Sequence, residues 1–170
     1  VTKNINLTIE GVNYTVKLTN GTGSLTLNNI SGGLHTVVAT YDGDGRYLAK
    51  TNSTLFYIEK AQSTVDLIQN GRNITATVTT NATGWVKFIV NGKEQRVQIV
   101  NGNATWTNIL INGNNTVVAI YEGDINFTDS NNNTNFTLSL ETSSINVTAT
   151  NVTYGNASVI TVKVPTVQTG

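Results

Sequence analysis

Cysteine and methionine are absent, and proline and histidine occur once each in a chain of 170 residues. Without cysteine there is no disulfide, no thiolate nucleophile and no cysteine metal site. The single histidine, His35, leaves almost nothing for acid–base or zinc chemistry. Charge is scarce as well: 12% of residues are charged, ten basic against ten acidic. No basic stripe is present to displace phosphate counterions, which excludes an electrostatic nucleic-acid binder and a polybasic membrane patch. Long apolar runs are missing too. No transmembrane helix or signal peptide is therefore read in this segment, which is expected to be a mature or internal piece.

What is present is asparagine and threonine, 25 and 29 residues respectively. Threonine, with the abundant valine and isoleucine, is β-branched and stiff at χ1, which favours strands over helices. Asparagine and the 15 glycines suit turns, because both tolerate positive φ. No stretch carries apolar residues at helical spacing, so the expectation is an all-β chain. Fifteen asparagines open an Asn-X-Ser/Thr triplet: Asn6, Asn13, Asn20, Asn29, Asn52, Asn73, Asn81, Asn103, Asn114, Asn126, Asn132, Asn135, Asn146, Asn151 and Asn156. These are the candidate glycosylation sites, and N-linked glycans are the expected attached groups. Low charge, no cysteine and many such triplets point to an extracellular, cell-surface protein made outside a disulfide-forming pathway, on an archaeal or bacterial surface.

The sequence repeats itself. Gly33 to Tyr47 lies over Gly113 to Phe127 at an offset of 80, and Asn4 to Gly21 lies over Trp85 to Gly102 at an offset of 81. Inward positions agree: Ile5, Leu7 and Ile9 match Val86, Phe88 and Val90, while Val16 and Leu18 match Val97 and Ile99. Period-2 alternation survives in both copies, as half-buried antiparallel strands require. Gly follows Glu10, Asn20, Asn70, Asn91, Asn101 and Asn112, mostly between alternating runs, which marks tight hairpins. In the complete copy, strands are expected near 63–69, 73–79, 85–91, 94–100, 103–109, 114–122 and 134–140. Seven short strands with turns every 8–12 residues predict an immunoglobulin-like sandwich.

A third piece begins at Thr142. Ser144 to Thr150 mirrors Thr64 to Asn70, and Ile160 to Val164 mirrors Ile74 to Val78. Written end to start, Gln168-Thr-Gly170 followed by Val1 reads like Ala82-Thr-Gly84 followed by Trp85. The expected organisation is tandem sandwiches of about seven strands, one of them split between the chain ends. Residues 61–141 form a whole domain. Residues 1–60 supply about five strands of the split domain, and residues 142–170 supply its first strands. Alone, 1–60 would leave an apolar groove and an open edge. The expected partner is another copy of the chain, head to tail, by strand complementation or as the next repeat of a longer polypeptide. The linkers 58–63 and 138–143 carry no glycine or proline, which suits a stiff rod.

Tyr41-Asp-Gly-Asp-Gly-Arg-Tyr47 and Tyr121-Glu-Gly-Asp-Ile-Asn-Phe127 resemble the Tyr-x-Gly-Asp-x-x-Tyr/Phe signature of bacterial Ig-like repeats. Asn151-Val-Thr-Tyr154-Gly155-Asn is similar to the early tyrosine-glycine segment of those repeats, and Thr83-Gly-Trp-Val-Lys-Phe-Ile-Val-Asn-Gly92 resembles their central strand. The Asn- and Thr-rich version is similar to repeats of adhesin-like surface proteins of methanogenic archaea. The resemblance spans essentially the whole chain and implies an Ig-like fold on a cell surface. One departure is that Ile74-Thr75 stand where Tyr154-Gly155 do.

Several residues are candidate sites. Asp42, Asp44, Glu122 and Asp124 sit in the Tyr-x-Gly-Asp turns and are the candidate Ca²⁺ ligands, set against turns whose Asp accepts backbone N–H groups. Lys163 and Asn52 are a candidate isopeptide crosslink, set against a solvated strand lysine. Trp106 aligns with core Leu25 and is expected to pack. Trp85, Lys87 and Ile89 alternate against the core set and face outward, where a sugar, a cell-wall polymer or a neighbouring fibre could be contacted. Tyr41 and Tyr121 are expected as corner tyrosines, and His35 as a solvated residue at a strand edge. No paired carboxylates, Ser/His/Asp set or metal cluster recurs at workable spacing in both copies, so no enzyme is expected. The functional expectation is a structural repeat of an extracellular filament or adhesin stalk; the alternative is an Ig-like adhesion module binding carbohydrate or cell wall.

Overall fold

A computed structural model describes residues 4–139 and 143–164, and every regular element among them is a β-strand. Strands β1 (Asn4–Ile9), β2 (Val12–Lys17), β3 (Gly33–Tyr41) and β4 (Lys50–Ile58) form one antiparallel sheet in the order β2-β1-β3-β4. Seven further strands follow: β5 (Val65–Asn70), β6 (Asn73–Val78), β7 (Trp85–Val90), β8 (Lys93–Gln98), β9 (Asn103–Trp106), β10 (Gly113–Tyr121) and β11 (Ser130–Leu138). They form two sheets, β5-β6-β9 and β11-β10-β7-β8. The last pair, β12 (Asn146–Ala149) and β13 (Ile160–Lys163), makes a two-stranded hairpin. The chain is all-β; β5–β11 make an immunoglobulin-like sandwich of two sheets, and the β1–β4 sheet repeats one of its two layers.

The turns follow from the residues placed in them. Asn91-Gly92 links β7 to β8 with φ of 50° and 81°, and Glu10-Gly11 links β1 to β2 with φ of 49° and 77°. Both central residues lie at positive φ, the two-residue turn whose twist matches the strands it joins. Asparagine and glycine adopt it readily, whereas a glutamate there is unusual.

The two sheets of 65–138 enclose one core. Ile74, Ala76, Val86, Phe88, Val90, Leu110, Val117, Ala119 and Tyr121 are inaccessible to solvent, with Val65, Val78, Ala82 and Ala104 almost so. The inward set is the one expected from alternation. The β1–β4 sheet repeats that set, but among the described residues no second sheet faces it. Ile5 and Leu7 are half-buried where Val86 and Phe88 are sealed, as are Val37, Ala39 and Tyr41 against Val117, Ala119 and Tyr121. Ile9 and Val16 alone keep full burial among those hydrophobic residues.

Three strand expectations need correction. Residues 1–60 hold four described strands, not five, because 22–25, the match of β9, form no strand. In the complete copy β9 pairs with β6, and among the described residues 22–25 have no such neighbour. Second, β11 begins at Ser130 and not at 134, since the nine-residue β10 offers ladder partners back to Tyr121 and draws the Asn131–Asn133 run into the sheet. Third, Tyr154-Gly155 does not stand in register with Ile74-Thr75. It lies in the loop between β12 and β13, and Ile160 takes the place of Ile74. The expected boundary at 141–142 and the Gln168–Gly170 and Val1 ends lie outside the described residues.

Candidate functional site

Two apolar faces lack a covering layer, and their geometry matches a pair that is closed elsewhere in the same molecule. In the β5–β6 hairpin Val65 stands opposite Val78, Leu67 opposite Ala76 and Gln69 opposite Ile74. In the β12–β13 hairpin Val147 stands opposite Val162 and Ala149 opposite Ile160. The registers are therefore the same, residue for residue. The β5–β6 face is buried in the core, whereas on the second hairpin Val147, Ile160 and Val162 are more than half exposed, at 57%, 68% and 58%. Ile145 and Val164, which flank the hairpin on the same alternation, are exposed too. A two-stranded ribbon with an apolar face is marginal in water unless something covers that face.

The uncovered side of the β1–β4 sheet is the other half of the match. That side carries the half-buried Ile5, Leu7, Val37 and Ala39, whereas exposed Leu55 and Tyr57, opposite Thr36 and Leu34, lie on the other face; the segment after β2 folds back over the sheet end. A Cβ on Gly23 would lie 2.7 Å from both the Lys17 carbonyl oxygen and Val16 Cγ1. That close approach accounts for the burial of Val16, whose counterpart Val97 stays half-buried. The turn that begins this segment is already built: Thr19 and Thr22 exchange two backbone bonds of 2.8 and 3.1 Å, as Val100 and Asn103 do before β9.

At the end of each four-stranded sheet sits a buried polar lock that the sequence pattern did not reveal. Asn115 is inaccessible to solvent; its Oδ1 accepts from Asn91 Nδ2 (2.8 Å) and the Ile111 amide (2.9 Å), and its Nδ2 donates to the Ile111 carbonyl (2.7 Å). In the first copy His35 takes the place of Asn115 and Glu10 that of Asn91. His35, 5% exposed, meets the Ser31 carbonyl through Nε2 (2.8 Å) and Glu10 Oε1 through Nδ1 (3.1 Å), and stacks on Phe56. Both ring nitrogens thus have a partner, the Ser31 carbonyl and the Glu10 carboxyl group. The expectation of a solvated His35 is thus corrected: it is the buried member of a four-residue-loop lock, and its pairing explains a glutamate at positive φ.

Beside this lock lies the joint between the two copies. The Gly32 amide donates to Asn126 Oδ1 (3.0 Å), and Lys60 Nζ donates to the Asp124 carbonyl (2.6 Å). The Ala61 amide donates to the Asn126 carbonyl (2.8 Å) and the Thr128 amide to the Ala61 carbonyl (2.9 Å). A Cβ on Gly32 would fall 2.3 Å from the Ile125 carbonyl oxygen, so only glycine allows this approach. Linker and turn are stitched together, as a stiff connection requires.

The Tyr-x-Gly-Asp turns carry a different chemistry from cation binding. Asp124 Oδ2 accepts from the Thr83 amide and Oγ1, both at 2.8 Å, and Oδ1 accepts from the Asn126 and Phe127 amides, both at 2.8 Å. Burial alone would raise this carboxyl, but the four donors, Thr83 foremost, outweigh it and hold its pKa down at about 2. Asp44 Oδ1 likewise accepts from the Arg46 and Tyr47 amides. Glu122 turns outward to Arg96, and Asp42 Oδ2 accepts from Asn6 Nδ2 at 3.5 Å. The four candidate calcium ligands are thus committed to separate partners, and no group of three acidic or histidine side chains able to hold a metal occurs among the described residues. Tyr121 is sealed in the core, and burial, with the neighbouring Asp124 carboxylate, pushes its hydroxyl up to about 12.

The remaining candidates fall in several places. Trp106 packs on Phe88 with ring centroids 6.4 Å apart. Trp85, Lys87 and Ile89 face outward as expected, but the Trp85 ring is overlaid by the Arg96 guanidinium at 5.3 Å, and Lys87 pairs with Glu94 at 2.8 Å. Lys163 is opposite Asn146 on the hairpin face away from Val147 and Val162, and Asn52 is in β4; the structure does not bring the two together. Most of the fifteen triplet asparagines are exposed. Two are half-buried: Asn73, whose Oδ1 accepts from the Asn108 amide, and Asn132, whose Nδ2 donates to the Val65 carbonyl at 2.9 Å. No helix among the described residues is long and apolar enough to cross a membrane.

No protein-family model matches the chain. No curated protein matches it either. Among solved structures it is similar to the FN1–FN3 domains of chicken CNTN1, a crystal structure, at 11% identity and a TM-score of 0.35. That likeness covers 81% of this chain, which spans 56% of the length of the chicken chain.

Proposed function

We propose that the chain is a structural repeat of an extracellular filament or adhesin stalk, in which the β12–β13 hairpin of one copy covers the β1–β4 sheet of the next. The observation that carries this reading is the pair of uncovered apolar faces whose counterparts are closed on each other in the β5–β11 sandwich. Covering them removes apolar surface from water on both sides, at roughly 25 cal/mol per Å². A contact of this kind uses different surfaces on the two partners, so it propagates head to tail as an unbranched fibre. The stitched joint at Gly32, Lys60 and Ala61 supports a stalk that transmits load without bending at the 58–63 linker. Asn-X-Ser/Thr triplets on exposed strands and turns support a surface location and glycan attachment. The work is mechanical and non-enzymatic.

Sedimentation velocity across a concentration series, with negative-stain electron microscopy, tests the reading. Concentration-dependent growth into linear chains is the expected result. A monodisperse monomer near 100 µM, in the regime where stable interfaces of standard size are saturated, overturns it.

A further inference from the structure

The proposed stalk says that a hairpin covers a sheet; it does not say which backbone pairs with which. We infer that residues Thr22–Leu25 are an acceptor strand, empty in the free chain, that pairs antiparallel with β13 of a second copy in one defined register. The inference rests on the stalk reading and adds to it a specific ladder.

The register comes from the complete copy. There β6 pairs with β9: Ile74 opposite Trp106, Thr75 opposite Thr105, Ala76 opposite Ala104 and Thr77 opposite Asn103. The β12–β13 hairpin shares the register of β5–β6, which fixes Ile160, Thr161, Val162 and Lys163 as the matches of Ile74 to Thr77. The offset of 81 makes Thr22, Gly23, Ser24 and Leu25 the matches of Asn103 to Trp106. Ile160 therefore meets Leu25, Thr161 meets Ser24, Val162 meets Gly23 and Lys163 meets Thr22.

Three features of the free chain agree. The turn that launches the acceptor strand is already formed at Thr19–Thr22, with the same pair of bonds as the turn that launches β9. The segment beyond it is not a strand, as expected of an edge whose partner is missing. The outer-face side chains fit as well. Thr75 and Thr105 hydroxyls are 2.9 Å apart, and Thr161 with Ser24 offers the same hydroxyl pair. Asn132 Nδ2, which ties β11 to the Val65 carbonyl, has Asn52 as its match, and Asn52 is exposed in β4. Docking places the Ile145 carbonyl where Val65 stands, so Asn52 becomes a clasp for the incoming hairpin. Gly23, where the complete copy has Ala104, lets the empty segment lie down on Val16 and the Lys17 carbonyl until β13 arrives. Lys163 meets Thr22 on the outer face in this arrangement, away from Asn52.

The absence of native cysteine allows a direct test on the full chain. Ser24→Cys with Thr161→Cys, both at exposed positions, is oxidised mildly and run on a non-reducing gel beside Ser24→Cys with Lys163→Cys, which is two residues out of register. Thr75→Cys with Thr105→Cys reports that the same pair type forms a disulfide inside one chain. A reductant-sensitive ladder in multiples of the 18.2 kDa chain for the in-register pair, at least tenfold stronger than for the shifted pair, is the expected result. Equal ladders, or no ladder from a protein that still assembles in sedimentation velocity, overturn the register while leaving the stalk intact. A crosslink confined to the monomer band overturns the second copy as the occupant. No ladder and no assembly overturn both. Hydrogen exchange on the unmodified protein gives an independent reading: amides 22–25 become protected as concentration rises, and unchanged exchange in assembled protein refutes the acceptor strand.

Discussion

Residues 4–58 and 65–138 carry the same alternation, the same turns and the same sheet order, yet one half is sealed and the other open. Phe88 is inaccessible to solvent, and its match Leu7 is only half-buried. The β2-β1-β3-β4 sheet forms with the register of its counterpart in the absence of a facing sheet. The comparison separates two levels of determination. Hairpin and neighbour pairing are set locally by turn type and alternation. Core closure, and the strand at the edge of the second sheet, need the missing layer. The polar locks follow the same logic: Asn115 and His35 close the same loop by different chemistry because only the hydrogen-bonding geometry is demanded there.

The sharpest test of that contrast is a pair of core truncations. Phe88→Ala should cost about 3–5 kcal/mol in urea unfolding, the usual range for emptying a fully packed aromatic site. Leu7→Ala should cost about 1–2 kcal/mol in the dilute chain, because that side chain is only half-buried there. Under assembling conditions the Leu7 cost should rise toward that of a sealed site. Equal costs for the two variants in dilute protein would show that the first sheet is already covered, and the contrast would be lost.

A smaller effect is expected at the locks. Asn115→Ala strands the Ile111 amide and the Asn91 side chain in a buried place, at about 1–3 kcal/mol for a lost buried partner. Exchanging the first lock for the second, with Glu10→Asn and His35→Asn together, should change stability by less than about 1 kcal/mol, since asparagine also relieves the positive φ at position 10. Urea midpoints for both single variants and the double variant measure it. Strong destabilisation by the double exchange would mean that the two locks are not equivalent.

Acid sensitivity should be concentrated at the turn of the complete copy. Asp124 has its pKa at about 2 against an ordinary value of 3.8, so the folded state favours the ionised form. The stability it contributes is full above pH 4 and drains away as the pH falls through 2. In the Asp124→Asn variant the stability curve should be flatter between pH 4 and pH 2 than in the unaltered protein. An unchanged slope would place the acid response elsewhere.

Most of the fold was readable because alternation and Asn-Gly turns report local pairing directly, and the offset of 80–81 aligned the inward residues of both copies. The all-β class, the seven strands of the second copy and the outward placement of Trp85 all came from that signal. What escaped had no local signature. Residues 22–25 look as strand-like as 103–106, but β9 pairs with β6 and no described strand stands beside 22–25. The burial of His35 depended on a contact with Glu10 across a turn; comparing the pairs Glu10/His35 and Asn91/Asn115 between copies is the signal that would have found it. The acidic residues of the Tyr-x-Gly-Asp turns suggest calcium by composition, but Asp44 and Asp124 accept amides of their own turns, Glu122 pairs with Arg96 and Asp42 accepts from Asn6. The joint at Gly32 was hidden for a similar reason, since its partner Asn126 is 94 residues away.

The smallest effect is expected on the outer face, where the two copies differ most in residue type and least in consequence for folding. Lys87 and Glu94 form an ion pair at 2.8 Å with both side chains in contact with water. Such a pair gains little Coulomb energy in high dielectric and loses side-chain freedom, so exposed examples contribute about 0–1 kcal/mol. The first copy has Asn6 and Asn13 at the corresponding strand positions and forms the same hairpin register without any ion pair. Glu94→Gln should therefore shift the urea midpoint by less than about 0.5 kcal/mol at low salt, and the difference should vanish at 0.5 M salt, where the screening length falls to roughly 4 Å. A loss comparable to that of Asn115→Ala would mean that the outer face, and not only the covered one, holds the second copy together. In that case the outward Trp85–Arg96–Glu122 stack would have to be counted as part of the fold and not as surface.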